Sequence, residues 1–171
     1  MSLRGERAYA DLSVAPPTPT AESRPWWDAL RAGRLTVQTC GACGTAQGYP
    51  RTRCVRCWSA ELSFVEATGR AELVTHSEVH RPGQASWGAV TPYYVGLVRL
   101  EEGATLLTHL LTDVLPEGRR PRVGDRCDVV PVQVGEWVLP FFRVAGVRPG
   151  LPVRDGHDAV ESTVTDLVPP E

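Results

Sequence analysis

The chain has 171 residues, enough for one domain or two small ones, and its 42% hydrophobic content is that of a globular protein. The net charge of -2 disfavours a dedicated nucleic-acid binder, and no apolar run approaches the ~20 residues of a membrane-spanning helix. All 18 basic residues are arginine, and 15 prolines with 16 glycines point to many turns and little long helix.

Residues 1–22 read as a flexible leader rich in Ala, Pro, Ser and Thr. Pro16, Pro17 and Pro19 interrupt it, so it lacks the apolar core of a signal peptide, and a soluble, cytoplasmic protein is expected. Ser23 then stands as a helix cap with Pro25 in the first turn. Trp26, Trp27 and Leu30 give a short apolar face that Gly33 terminates. So short a helix is not stable alone, and its tryptophans must dock either on the protein's own ribbon or barrel or on a partner.

Two C-x-x-C pairs follow, Cys40-Gly41-Ala42-Cys43 and Cys54-Val55-Arg56-Cys57. Each places two thiolates on one side of a tight turn, and two such turns make a tetrahedral four-sulfur site suited to one structural zinc ion. Gly41 and Gly44 allow the first turn to bend. Four sulfurs leave no coordination position open for substrate, which argues against catalysis at the metal. Iron takes the same ligands, so sulfur alone does not separate the two metals. Two disulfides or a redox pair are weaker readings, since neither an export signal nor a βαβ setting precedes the motif. Strands are expected at 35–38 and 62–65, either side of the knuckles, with a loop at Gln47-Gly48-Tyr49-Pro50. From Arg24 to Trp58 the chain is strongly basic: Arg24, Arg31, Arg34, Arg51, Arg53 and Arg56 face Asp28 alone. That charge suits either a phosphate-facing surface or the counter-charge of the metal centre.

After Gly69 the pattern is all-β, with strands expected at 70–80, 93–100, 104–111, 126–134 and 137–145. Glu101-Glu102-Gly103 and Gly135-Glu136 are tight turns, and longer loops cover 81–92 and 112–123. Five short strands without a βαβ repeat suggest a small closed barrel of the OB type. Cys127, outside the paired motif, reads as a small buried core residue. His76 and His80 share one side of their strand, as a proton-handling pair or as ordinary polar strand residues. Beyond Gly150, Asp155, Asp158, Glu161, Asp166 and Glu171 outweigh Arg154, giving an acidic tail that is flexible and solvated or folds back on the basic ribbon. The expected architecture is therefore mainly β: leader 1–22, helix and rubredoxin-like zinc ribbon 23–67, five-stranded OB-fold barrel 68–147 and tail 148–171.

The order of a Trp-bearing helix, the two cysteine pairs, Gly69-Arg70, Val79-His80-Arg81-Pro82, Pro92-Tyr93-Tyr94-Val95-Gly96-Leu97-Val98 and Leu106-Leu107-Thr108 resembles the domain-of-unknown-function 35 family. That family joins a rubredoxin-like zinc ribbon to an OB-fold, and the likeness spans about residues 24–146. It implies a small non-catalytic partner of a thiolase-superfamily enzyme: a thiolase, an acyltransferase or an aldolase that shortens sterol side chains. It also implies a scaffold that helps shape an acyl-CoA site, with two-plus-two stoichiometry because thiolase-type partners are commonly dimers. Two features depart from the family pattern: His109, where a small amide residue is expected, and the long acidic tail.

On this reading the partner and acyl-CoA surface combines Trp26 and Trp27 on the helix, Arg51 and Arg53 on the ribbon, and Arg81, Trp87 and Tyr93 at the 81–92 loop. Aromatics of this kind make interface anchors when exposed and barrel core when not. Two other functions compete. A single-strand nucleic-acid binder would use stacking aromatics with the loop arginines Arg119, Arg120, Arg122 and Arg126, against the overall charge. A free-standing acyl-CoA binder or hydrolase would hold phosphates with arginine, but no nucleophile–base–orienter set is legible.

Overall fold

The computed structural model describes residues 5–147, and the acidic tail expected at 148–171 lies outside the described residues. Helix α1 (Arg24–Arg31) begins with Pro25 in its first turn, and Gly33, at φ 76°, follows its C-cap residue Ala32. Ser23 occupies the N-cap position without capping: its hydroxyl lies 3.2 Å from that of Thr20, and the Arg24 N–H donates to the Thr20 carbonyl at 3.0 Å. Trp26, Ala29 and Leu30 form the buried stripe, as helical spacing demands.

The ribbon is a three-stranded sheet of β1 (Thr36–Cys40), β2 (Ala46–Gln47) and β3 (Leu62–Glu66), ordered β2-β1-β3 and antiparallel throughout. β2 overlaps the segment expected to be a loop at Gln47. Its two residues pair with Gln38 and Thr39, too short a run for alternation to reveal in sequence.

The barrel comprises β4 (Arg70–Val79), β5 (Tyr93–Leu100), β6 (Thr105–Leu111), β7 (Asp125–Val134) and β8 (Trp137–Val147). The strands close in the order β4-β5-β6-β8-β7, with β4 pairing β7 to seal the ring. Only the β6–β8 contact is parallel, and it is brief: Leu110 opposite Phe142 and Leu111 opposite Arg143. Thr105 to His109 on β6 therefore have no ladder partner on that side, and the ribbon loop comes up against this stretch. A Cβ added at Gly48 would lie 2.8 Å from the Thr105 carbonyl oxygen, and the Tyr49 hydroxyl accepts the Leu107 N–H at 2.8 Å.

Strand alternation divides the apolar residues into two clusters. Leu73, Val98, Leu106, Leu110 and Phe142 fill the barrel together with Trp26, Leu30, Leu35 and Val37, so helix, ribbon and barrel share one core. The opposite face carries Tyr93, Leu111, Val132, Val134 and Phe141.

Part of the expected flexible leader covers that outer face. Glu6–Tyr9 forms a 3-10 turn, and Tyr9 and Leu12 are 1% and 6% exposed. Arg143 anchors the segment by pairing with both Glu6 and Asp113. Two apolar side chains, each worth about 1.5–3 kcal/mol when buried, outweigh composition here. The 81–92 loop closes the same face through a 3-10 turn, Ala85–Val90, whose Val90 is fully buried. Among the described residues, no helix is long and apolar enough to cross a membrane.

Candidate metal centre and docking face

The two knuckles are built alike. The Cys40 N–H donates to the Thr45 carbonyl at 3.0 Å and the Gly44 N–H to the Cys40 carbonyl at 2.8 Å. In the second knuckle the Cys54 N–H donates to Ser59 at 2.9 Å and the Trp58 N–H returns to Cys54 at 3.1 Å. The bonds fall at matching offsets from each first cysteine, so both loops turn the same way. The sulfurs of Cys40, Cys43, Cys54 and Cys57 all lie within 4.8 Å of one another, with Cys40–Cys57 and Cys43–Cys54 at 3.6 Å. A tetrahedron with metal–sulfur bonds of about 2.3 Å has edges of about 3.8 Å. The 3.6 Å separations fit that edge and are far too long for disulfides, and all four cysteines are free.

The thiols also compete for protons. Hydrogen bonding to the Thr45 side chain, then to its backbone, brings Cys43 down to about 6. The Ser59 backbone bond pulls Cys57 down, but the Cys43 sulfur, burial and the remaining sulfurs outweigh it and lift the thiol to about 12. Four thiolates cannot share this space without a cation, and the donor set suits zinc.

Two glutamines that the sequence reading passed over tie the knuckles together. Gln38 and Gln47 are buried and face each other across β1 and β2, with Gln47 Nε2 donating to Gln38 Oε1 at 2.9 Å. Gln38 Oε1 also accepts the Arg51 N–H at 2.8 Å, and its Nε2 donates to the Arg51 carbonyl at 3.1 Å. Gln47 Oε1 accepts the Val55 N–H at 3.0 Å. The pair thus fixes the loop carrying the second knuckle. Its sequence signal is faint: two amides flanking the first C-x-x-C.

The expected docking residues divide. Trp26 belongs to the core, 7% exposed, and its Nε1–H donates to the Thr36 carbonyl at 3.0 Å. Trp27 is half-buried, edge-on to Trp26 and to Trp137, with the Arg31 guanidinium 4.5 Å from the Trp137 ring centre. Tyr93 is buried and Trp87 half-buried, both against His109 on the outer barrel face. The fold itself uses these rings, because covering a small barrel consumes its aromatics. Arg51, Arg53 and Arg81 are exposed. The sequence reading missed Trp58 as a docking residue. It is 73% exposed and holds φ 62°, where the first knuckle has Gly44 at φ 71°. A non-glycine residue pays about 1–2 kcal/mol for this left-handed conformation. Trp58 lines a cavity of about 680 Å³ with Glu22, Pro50, Arg51, Arg53 and Val55. Arg51, Arg53 and Arg56 make no ion pair among the described residues, whereas Arg31 and Arg34 are paired to Asp28 and Glu66.

The barrel arginines are differently placed. Arg119 pairs with buried Asp125 at 2.6 Å, Arg120 with Glu78 at 3.4 Å and Arg126 with Asp128 at 4.0 Å. The loop patch considered for nucleic acid is thus largely neutralised from within. His80 pairs with the same Glu78 carboxylate at 3.6 Å, and Nδ1 of half-buried His76 is enclosed without a partner. Cys127 is buried as expected, and burial, with Asp125 and Asp128, pushes its thiol up to about 12.

Residues 27–63 match the family model of the ChsH2 rubredoxin-like zinc ribbon domain, and residues 64–132 that of the ChsH2 C-terminal OB-fold domain. The chain belongs to the domain-of-unknown-function 35 family. Its four family cysteines bind one zinc ion. A solved DUF35 chain from the "Ltp2-ChsH2(DUF35) aldolase" superposes with a TM-score of 0.65 at 29% identity, covering 76% of this chain and 99% of that one. A DUF35 protein of unknown function from Sulfolobus solfataricus shares the fold at TM-score 0.51 and 16% identity, covering 72% and 85% of the two chains. The "probable enoyl-CoA hydratase alpha subunit" of Thermomonospora curvata is 34% identical over 123 residues, 70% of this chain. The chain spans 36% of that relative's length.

Proposed function

We propose that this DUF35 chain is a non-catalytic subunit that docks on and stabilises a thiolase-superfamily enzyme acting on acyl-CoA substrates, in a two-plus-two assembly. The observation that carries the reading is the match to nearly the whole DUF35 chain of an aldolase complex. Among the possible partners it favours an aldolase, which the family resemblance takes to be one that shortens sterol side chains. The zinc is structural on this reading, since its four sulfur ligands leave substrate no place. The docking face is the second knuckle: Trp58, Val55, Arg51 and Arg53 combine an aromatic anchor with arginines that have no carboxylate partner among the described residues, Arg53 donating to the Trp58 carbonyl at 3.1 Å. Acyl-CoA lies at the edge of that face, its phosphates toward the same arginines. The nucleic-acid reading loses support because three of the barrel arginines it needs are paired with carboxylates.

The test is affinity capture of the tagged full chain, with partners identified by mass spectrometry and the mass of the eluted complex measured by light scattering. A stoichiometric thiolase-superfamily enzyme in a complex of two copies of each chain is expected. Recovery of nucleic acid, or of this chain alone at saturating extract, would overturn the proposal.

A further inference from the structure

Beside the unpaired stretch of β6 lies a groove of about 470 Å³, bounded by α1, the Tyr49–Pro50 loop and β8. Trp26, Trp27, Leu107, Leu139 and Phe141 are among its lining residues, and none of the lining residues carries a full charge at neutral pH. A charged ligand would lose its hydration here without compensation, so the groove selects an uncharged apolar one. Volume and lining both fall within the usual range for small-molecule sites.

His109 is the exception in this wall. Its ring stacks on Trp87 at 4.4 Å, on Phe141 at 4.7 Å and on Tyr93 at 5.0 Å, with Tyr9 edge-on at 6.1 Å. Rings on several sides fix its orientation. Its Nδ1 is buried with no hydrogen-bond partner, and the residue, only half-buried, is one of those that line the groove. Burial lowers its pKa to about 4, so the imidazole is neutral at physiological pH and carries a single N–H. An enclosed N–H without an acceptor is costlier than an enclosed bare lone pair. The proton therefore belongs on Nε2, which a half-buried ring with its Nδ1 enclosed would offer as a donor to the groove it lines. A phenylalanine would fill the same stack without this polar cost, so the histidine is better explained by something it binds.

We infer that the groove binds an uncharged apolar molecule through a carbonyl oxygen that accepts a hydrogen bond from His109 Nε2. Ketones and acyl thioesters share this chemistry. The inference requires neither the partner enzyme nor coenzyme A, so it stands or falls independently of the docking proposal.

The test uses the zinc-loaded full chain and three probes: methyl hexyl ketone, S-methyl hexanethioate and octane. One neutral hydrogen bond should make the ketone bind about 3- to 10-fold tighter than octane. The ring nitrogen resonance of His109 should move on adding ketone and stay fixed on adding octane. His109→Phe should keep octane binding and lose the preference for ketone. Leu107→Arg, at an exposed position of the groove wall, should abolish binding of both and guards against a His109 variant that misfolds. A thioester that moves the same resonance and binds tighter than the ketone identifies acyl thioesters as the source, and the reverse order identifies free carbonyl compounds. Equal affinity for ketone and octane, an unmoved resonance, or unchanged binding by the Leu107 variant would overturn the inference.

Discussion

The two zinc knuckles share their backbone bonds and differ at the residue after each pair: Gly44 in one, Trp58 in the other. Both residues hold a positive φ, which glycine adopts without strain and tryptophan does not. The first knuckle thus follows the local rule and the second breaks it, placing a large ring in solvent at an energetic cost. Conformational strain beside arginines without a carboxylate partner among the described residues is the contrast on which the proposed docking face rests.

The comparison can be broken most severely at the metal. Cys40→Ser and Cys57→Ser, one in each knuckle, should each lose about one equivalent of zinc and unfold the ribbon, because metal binding and folding are coupled. Metal content and circular dichroism would show it, and a variant that stays folded without metal would sink the shared-site account.

Acid sharpens the contrast between ribbon and barrel. Protonated thiols release metal from the ribbon. The barrel loses stability separately, through His109. Its folded pKa, about 4, lies below the unfolded value near 6.5, so the unfolded state takes up the proton first as pH falls. Its contribution of about 3 kcal/mol is complete above about pH 6.5 and is lost progressively down to about pH 4. His109→Phe should flatten that part of the profile, measured by urea unfolding.

Between the knuckles, Gln38→Leu removes the acceptor and donor that hold Arg51 and should cost about 1–3 kcal/mol. Hydrogen exchange should then rise at Arg51, with the Gly44 amide of the first knuckle left protected. Equal loosening of both would show that the glutamines clamp the whole ribbon.

At Trp58 the prediction turns on partner affinity. Trp58→Ala should weaken the complex by about 2 kcal/mol, roughly 30-fold, as measured by calorimetry. The smallest effect is the most telling: Trp58→Gly should raise stability by about 0.5–1 kcal/mol while also weakening the complex. A variant that is both more stable and fully competent would remove Trp58 from the interface.

Much of this was legible in the sequence because it depends on local pattern. Two C-x-x-C pairs imply four converging sulfurs whatever surrounds them. Alternation placed β5 at its observed bounds and the other barrel strands to within two residues. Packing between distant segments left no such trace. Pro-rich composition hid Tyr9, whose burial depends on Phe141 and Trp87 far along the chain. The double tryptophan looked like a docking anchor, but Trp26 finds its acceptor at Thr36 and Trp27 its neighbour at Trp137.

The sequence by itself thus determined the zinc ligands, the order of ribbon and barrel, and the family, since these rest on residue identity and short-range spacing. Only the tertiary structure decided which aromatics remained for a partner. Burial depends on what folds over each ring, and the leader and the 81–92 loop cover Tyr93 and Phe141 while leaving Trp58 in solvent.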